Sequence, residues 1–172
     1  MKIAKNIFAL FLIIFLADVF AQDINKTKID EKSQMEVLIG LCDRAGLKSN
    51  LFKTYYDSEY NTYIPNASII NNLKTTLANN NIKVTIIMGS WCGDSQKLVP
   101  RFFKIIDTLG FPEMNVTIYC VDRTKKSDKG ETDNLGVQFI PVFIFYKDGK
   151  EIGRITNSQK QSLEKDILEI VS

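Results

Sequence analysis

Residues 84–95, with the sequence VTIIMGSWCGDS, decide the fold. The β-branched, apolar residues up to Met88 predict a buried strand over 83–88, and residues 90–109 predict a helix that Pro100 interrupts. Cys92 therefore comes directly after a buried strand, where a helix opens. The free N–H groups and the positive dipole end of a helix stabilise a thiolate, which is the reacting form of cysteine. This arrangement predicts a reactive thiol rather than a structural one.

The residues around Cys92 indicate the surroundings of its thiol. Trp91 is expected to cover one side of the sulfur, and Gly93 is expected to let the chain turn without a clash. Ser95, on the first helical turn, carries a hydroxyl that can donate a hydrogen bond to the sulfur. The carboxylate of Asp94 opposes thiolate formation, because it places a like charge nearby.

The chain after this helix alternates between strand and helix patterns. Residues 115–121 predict a second strand, and residues 141–146 and 151–155 predict two more, joined by the tight turn Asp148-Gly149. Ser158 with Gln161 is typical of a capping box that opens a last helix. The order predicts an α/β fold in which helices cover both faces of a central mixed sheet.

The N-terminal part carries helical spacing. From Ser33 onward, apolar side chains recur at three- and four-residue steps and predict a helix: Met35, Leu38, Ile39 and Cys42. Residues 51–63 are rich in aromatics and predict a partly helical segment that packs rings into the core rather than binding a ligand. After Pro65-Asn66, a stop-and-cap signal, an apolar stripe over residues 69–77 predicts a further helix.

The segment 84–95 resembles the active-site strand and loop of the thioredoxin superfamily, whose motif is Trp-Cys-Gly-Pro-Cys. Pro100 and Asp122 stand where that family has a helix-kinking proline and a Val-Asp pair. The segment 136–150 resembles its Ile-Pro loop and terminal hairpin. The resemblance implies a thioredoxin-like fold over the C-terminal two-thirds, preceded by an N-terminal helical extension.

The same resemblance implies roles for individual residues. Cys92 and Ser95 would be the catalytic residues. The peptide bond before Pro141 would be cis, and Pro141 would face Cys92. The backbone of Ile140, together with Pro141 and Trp91, would hold a substrate peptide as an added strand.

The sequence departs from the family at three positions. Ser95 stands in place of the resolving cysteine, Asp94 in place of the proline, and Ile86 in place of a buried acid. Because no disulfide can close between Cys92 and Ser95, ordinary dithiol reduction is not expected. Some members of this superfamily have monothiol Cys-x-x-Ser sites, so a single-thiol reaction at Cys92 is expected by analogy with them.

Composition excludes several kinds of chemistry. The chain has no histidine, which excludes Ser-His-Asp and Cys-His catalysis and histidine metal sites. Its three cysteines are too few and too far apart for a structural zinc site, so neither a metal nor a cofactor is expected. The formal net charge of +2 argues against nucleic-acid binding, and the basic run 123–126 is expected to be a solvated loop.

The first 21 residues are typical of a secretory signal peptide. Lys2 and Lys5 precede an almost unbroken apolar run over residues 7–16, and cleavage is expected after Ala21. The run is short for a membrane span of ~20 residues, so no stable membrane insertion is expected after cleavage. We therefore expect a periplasmic or secreted protein with a signal peptide over 1–21, an N-terminal extension over 22–65 and one domain over 66–172.

Three functions are compatible with these residues. In the first, Cys92 attacks protein disulfides as a thiol–disulfide oxidoreductase or isomerase, and a second substrate thiol or an external thiol reductant releases the mixed disulfide. In the second, the protein is a redox-inactive binding module that keeps the fold and the groove. In the third, Cys120 or Cys42 replaces the missing resolving cysteine, although an inward-facing strand residue is the favoured interpretation of Cys120.

Overall fold

The computed structural model describes residues 23–49, 52–78 and 80–172, so the predicted signal peptide lies outside the described residues. Over these ranges no helix is long and apolar enough to cross a membrane. The elements follow one another as β1 (Lys26–Ile29), β2 (Glu36–Cys42), α1 (Arg44–Leu47), α2 (Lys53–Thr62), α3 (Ala67–Leu77), β3 (Ile82–Met88), α4 (Gly93–Leu109), a 3-10 turn (Glu113–Asn115), β4 (Val116–Cys120), β5 (Val142–Lys147), β6 (Lys150–Thr156) and α5 (Leu163–Val171).

The described strands form one mixed sheet in the order β1-β2-β4-β3-β5-β6. Strands β3 and β4 are parallel and are joined through α4, whereas every other neighbouring pair is antiparallel. The α/β class and the mixed sheet predicted from the sequence are confirmed. The predicted strand at 83–88 and the hairpin around Asp148-Gly149 are also confirmed, as β3 and the β5–β6 turn.

Two apolar clusters lie on opposite faces of this sheet. The larger cluster takes buried side chains from all five named helices and from alternate strand positions such as Ile86. The smaller cluster consists of Ile87, Val121, Ile140, Val142 and Ile144. Because side chains alternate along a strand, neighbours such as Ile86 and Ile87 belong to different clusters.

The helix predicted from Ser33 onward is wrong, because residues Glu36–Cys42 form strand β2. This strand pairs antiparallel with β1 on one side and with β4 on the other. Residues 37–40 are all buried, so both faces of the strand are covered. A strand covered on both faces is a continuous apolar run rather than an alternating one, and such a run also contains helix-like spacings.

The aromatic segment packs into the core, as predicted. Phe52 and Tyr56 have an exposed fraction of 0% and belong to the larger cluster. Tyr56 stacks on Tyr60 of the same helix, with ring centroids 5.6 Å apart, and lies 6.1 Å from the Phe103 ring of α4. The N-terminal extension therefore shares its core with the rest of the chain.

The capping box predicted at Ser158 and Gln161 is wrong, because α5 begins after Ser162. The Ser162 side chain accepts a hydrogen bond from the Lys165 N–H at 3.3 Å. The Asp166 carboxylate accepts from the backbone N–H groups of Lys160 and Gln161, which holds the preceding turn outside the helix.

Candidate active site around Cys92

Cys92 is the N-cap residue of α4, with φ −95° and ψ 122°. Its N–H donates to the Gly89 carbonyl at 2.9 Å, and its carbonyl accepts the first helical bond, from the Gln96 N–H, at 2.9 Å. A short turn thus carries the chain from the end of β3 into the helix. Cys92 thus lies at the N-terminal end of α4, although its side chain makes no capping hydrogen bond to the helix.

Gly89, rather than Gly93, provides the room in this turn. A Cβ atom on Gly89 would lie 2.7 Å from the Trp91 ring, a distance shorter than Cβ atoms in proteins adopt. A Cβ atom on Gly93 would meet nothing within 4 Å, and its φ is not in the left-handed region. The expectation that Gly93 relieves a clash is therefore wrong, because the close approach is between Trp91 and the backbone at Gly89.

The half-buried Cys92 thiol donates to the Ile140 carbonyl, with 3.7 Å between sulfur and oxygen. Trp91 and Cys92 both pack against the smaller cluster, of which Ile140 is a member. The Ile140–Pro141 peptide bond is cis. The structure thus brings the sulfur and the Ile-Pro loop to one place, although they are about fifty residues apart in sequence.

Ser95 lies in a different position from the one expected. Its side chain has an exposed fraction of 0%, and its oxygen accepts from the Gly89 N–H at 3.3 Å. Among the described residues, the hydrogen-bond partner of the sulfur is Ile140 and not Ser95. Ser95 therefore supports the turn before Cys92. Asp94, by contrast, is exposed on the first turn of α4.

Trp91 is fixed by a backbone carbonyl and covered by a cation. Its ring Nε1–H donates to the Val121 carbonyl at 3.0 Å. The Arg123 guanidinium lies over the ring, 4.6 Å from its centroid. The Arg123 Nε in turn donates to both carboxylate oxygens of Asp30, at 2.8 and 3.0 Å. A guanidinium over an indole is a favourable cation–π arrangement.

Asp30 lies in the turn of the β1–β2 hairpin and is buried. The hydrogen bond from the Ser33 hydroxyl, with help from Arg123, outweighs burial and lowers the pKa of Asp30. Because the carboxylate stays ionised, it holds Arg123 in place. The sequence does not predict either contact. The prediction of a solvated loop is wrong for the Arg123 side chain, which pairs with Asp30, and no local signal links positions 30 and 123.

Two more contacts hold the β1–β2 hairpin against this site. Lys28 pairs with Asp122 at 2.8 Å. Burial by itself would raise the pKa of Asp122. The pair with Lys28 and the hydrogen bonds from Thr124 and Lys126 outweigh burial and lower this pKa to about 2. The Leu38 N–H of β2 donates to the buried Ser90 hydroxyl at 3.0 Å. The N-terminal extension thus forms one wall of the site.

The other two cysteines lie on the opposite face of the sheet from Cys92. Cys120 and Cys42 are buried in the larger cluster, whereas Cys92 packs against the smaller one on the opposite face of the sheet. Cys42 is buried among apolar side chains, and the interpretation of Cys120 as an inward-facing strand residue is confirmed. In the part of the chain that the structure describes, no group of three or more metal-ligating side chains could hold a metal ion.

Comparison with known proteins finds a family model and several similar proteins. The model of the family described as Thioredoxin matches residues 67–169, a segment that includes Cys92, Ser95 and Pro141. "Thioredoxin-3, mitochondrial" from Saccharomyces cerevisiae is 28% identical over 124 residues, which cover 72% of this chain and 89% of that protein. "Thioredoxin-like protein 1" from Schizosaccharomyces pombe is 28% identical over 84 residues, which cover 49% of this chain and only 28% of the relative.

A solved structure, that of mitochondrial thioredoxin 3 from Saccharomyces cerevisiae in its oxidised form, is 25% identical to this chain. The alignment covers 67% of this chain and 98% of that one, with a TM-score of 0.40.

Proposed function

Because the chain belongs to the thioredoxin family, we propose that it is an exported monothiol thiol–disulfide oxidoreductase or isomerase with Cys92 as its nucleophile. One observation carries the proposal: the half-buried sulfur lies at the N-terminus of α4, beside the Ile140 carbonyl, while the position one turn on is a serine. Thiol–disulfide exchange on protein substrates follows from the family, and the single-thiol mechanism follows from the residues.

The first step is attack of the Cys92 thiolate on a substrate disulfide. A bond forms between Sγ and one substrate sulfur, and the other substrate sulfur leaves as a thiolate that takes up a proton. The mixed disulfide has no internal thiol to open it, because Ser95 is a buried hydroxyl and the other cysteines lie in the larger cluster.

Two thiols from outside the chain can release Cys92. If a second thiolate of the same substrate attacks the substrate-side sulfur, a new substrate disulfide forms and Cys92 leaves unchanged, which is isomerisation without net redox change. If an external thiol reductant attacks and a second reductant thiol completes the exchange, the substrate disulfide is reduced and the reductant is oxidised. A single active-site thiol suits isomerisation, because isomerisation needs no stored electron pair.

The test compares Cys92 alkylation with isomerase activity. Iodoacetamide should alkylate Cys92 at neutral pH several-fold faster than cysteine in a short unfolded peptide, and Cys92→Ser should abolish reactivation of a substrate with scrambled disulfides. Cys42→Ala is the matched control, since it removes a buried thiol on the opposite face and should leave activity unchanged. Slow alkylation together with full activity of Cys92→Ser would contradict the proposal.

The second candidate is a redox-inactive peptide-binding module. It is favoured by one observation, the exposed Asp94 on the first turn of α4, whose charge opposes a thiolate. If Cys92 is unreactive but a peptide still binds beside Ile140 and Pro141 in the Cys92→Ser variant, this function replaces the first.

We propose export on the pattern of residues 1–21, which places the protein in the periplasm or outside the cell. Intact-mass measurement of the protein from an expressing cell should show loss of these residues, and retention of them would contradict export.

A further inference from the structure

The Arg123 guanidinium lies beside the residue that precedes the proposed nucleophile, and some of its hydrogen-bond donors are unused. Its Cζ atom is 4.6 Å from the centroid of the Trp91 ring, and Trp91 is followed directly by Cys92. Within the described ranges 23–49, 52–78 and 80–172, the Arg123 side chain donates hydrogen bonds through Nε alone, to Asp30. Its Nη groups are therefore available to a ligand, and 34% of the side chain is exposed.

A buried carboxylate holds the guanidinium in this position. Asp30 has an exposed fraction of 6%, so water competes little for its oxygens. The same carboxylate accepts from the N–H and the hydroxyl of Ser33, which hold it in place. A guanidinium that is already ordered loses less conformational entropy when it binds a second partner. Asp30 is thus a positioning residue for Arg123.

The groups around Arg123 favour an anionic partner. Asp122, the acid next to it in sequence, is already paired with Lys28 at 2.8 Å. Two further cations follow in the same loop, Lys125 and Lys126. The planar fork of a guanidinium matches a carboxylate, which can accept two parallel hydrogen bonds from it. In a protein substrate, that carboxylate belongs to an aspartate or a glutamate.

We propose that Arg123 is a specificity-determining residue, which binds an aspartate or glutamate next to the reactive cysteine of the substrate. A peptide whose sulfur reaches Cys92 lies against Trp91 and Ile140, because both pack around Cys92 in the smaller cluster. The guanidinium over Trp91 is then within reach of the side chains that flank the substrate cysteine. This inference rests on the proposed thiol–disulfide exchange at Cys92 and adds to it a substrate class, acidic segments around a cysteine.

Asp94 has the opposite effect on an acidic substrate. Its exposed carboxylate lies on the first turn of α4, whereas Arg123 follows strand β4. A substrate carboxylate near Arg123 is attracted, and one near Asp94 is repelled. The preference should therefore depend on which side of the substrate cysteine carries the acid.

The experiment measures how fast Cys92 reacts with activated peptides. Each short peptide contains one cysteine in a disulfide with thionitrobenzoate, and attack of the Cys92 thiolate on the peptide sulfur releases the coloured thionitrobenzoate thiolate. Aspartate and asparagine are compared at the position before the cysteine, and in a second pair of peptides at the position after it. At low salt, the aspartate peptide of one pair should react roughly five-fold faster than its asparagine counterpart. High salt should reduce the difference.

Arg123→Gln should abolish this preference and bring the rates of that pair within about two-fold of each other. A merely structural effect of the substitution would slow both peptides alike. Lys150→Gln is the matched control, because it also removes one exposed positive charge, at the opposite end of β3 from Cys92, and should keep the preference. Should Arg123→Gln fail to fold, combining it with Asp30→Asn leaves no unpaired buried charge, and the same loss of preference is expected.

Two results would overturn the proposal: equal rates for aspartate and asparagine in both pairs with the unsubstituted protein, or a preference that survives the loss of Arg123. The background from the other two thiols is measured with Cys92→Ser. If the unsubstituted protein reacts with every peptide no faster than Cys92→Ser does, the proposed catalytic function fails, and this inference fails with it. Reaction with all peptides at charge-independent rates overturns the inference alone.

Discussion

At the scale of single residues, Cys92 is subject to two opposing electrostatic influences. The N-terminus of α4 favours the thiolate, and the exposed Asp94 carboxylate two residues later disfavours it. Solvent screens the exposed carboxylate more strongly than it screens the N–H groups at the start of the helix. We therefore expect the helix end to have the larger effect on reactivity.

Ser95→Cys should convert the site into a dithiol. A thiol one helical turn from Cys92 supplies an internal resolving group, so dithiothreitol-dependent reduction of insulin should become faster. The variant also weakens the hydrogen bond from the Gly89 N–H, which should lower the free energy of unfolding by ~1 kcal/mol. Ser95→Ala is the control, because it loses the same hydrogen bond without gaining a thiol. A folded Ser95→Cys protein with no gain in rate would mean that substrates cannot reach the site.

At the scale of elements, the β1–β2 hairpin supports the residues next to Cys92. Its turn supplies Asp30, which holds Arg123 over Trp91, and its second strand donates the Leu38 N–H to Ser90. The residues next to the nucleophile are thus positioned by a segment that precedes the part of the chain matched by the family model.

Asp30→Asn should release Arg123 from the Trp91 ring, and Trp91, the sole tryptophan of the chain, reports this by fluorescence. The pKa of Asp30 is lowered in the folded protein. The stability that the ionised carboxylate contributes is therefore complete above about pH 4 and is lost as the pH falls through the pKa that Asp30 has in the folded protein. The unsubstituted protein should show an emission change on acidification that Asp30→Asn already shows at pH 7. Asp128→Asn, which breaks the hairpin's exposed pair with Lys26, is the control and should leave the emission as it is. Identical emission of Asp30→Asn and the unsubstituted protein at pH 7 would contradict this assignment.

At the scale of the whole molecule, a buried carboxylate connects the extension to the last helix. Glu164 of α5 accepts from the Tyr63 hydroxyl at 2.6 Å and from the Asn66 N–H at 2.9 Å, where α2 gives way to α3. Burial by itself would raise the pKa of Glu164, but these hydrogen bonds outweigh it and leave the pKa below the ordinary value of 4.5. The ionised group therefore stabilises the folded protein above that pH.

Glu164→Gln should lower the free energy of unfolding at pH 7 by ~1–2 kcal/mol, because an amide has one acceptor oxygen where the carboxylate has two. The folded protein binds fewer protons at Glu164 than the unfolded chain, so the stabilisation begins to be lost as the pH falls below about 4.5, and the difference between the two proteins should be smaller at acidic pH than at pH 7. Urea unfolding at pH 7 and pH 3.5 measures both effects. Glu169→Gln, an exposed change on the same helix, should have an effect within ~0.5 kcal/mol. A constant difference at both pH values would exclude ionised Glu164 as the cause.

The sequence by itself determined the features that depend on neighbours along the chain. Strand β3, the helix opening at Cys92 and the β5–β6 hairpin follow from β-branched runs, helix-end chemistry and a tight turn, all of which act over a few residues. The family motif likewise placed the sulfur and the Ile-Pro loop at one site, because both lie at the ends of strands in a known order.

Only the tertiary structure decided the remainder, because it depends on pairings between distant segments. The sequence predicts a helix where the structure has strand β2, since burial on both faces by partners elsewhere in the chain removes the alternation typical of a strand. The contacts from Asp30 to Arg123 and from Ser95 to Gly89 depend on where the hairpin and the turn come to rest. The division of the cysteines between two faces of the sheet depends on the register of β2 against β4, which local composition does not encode.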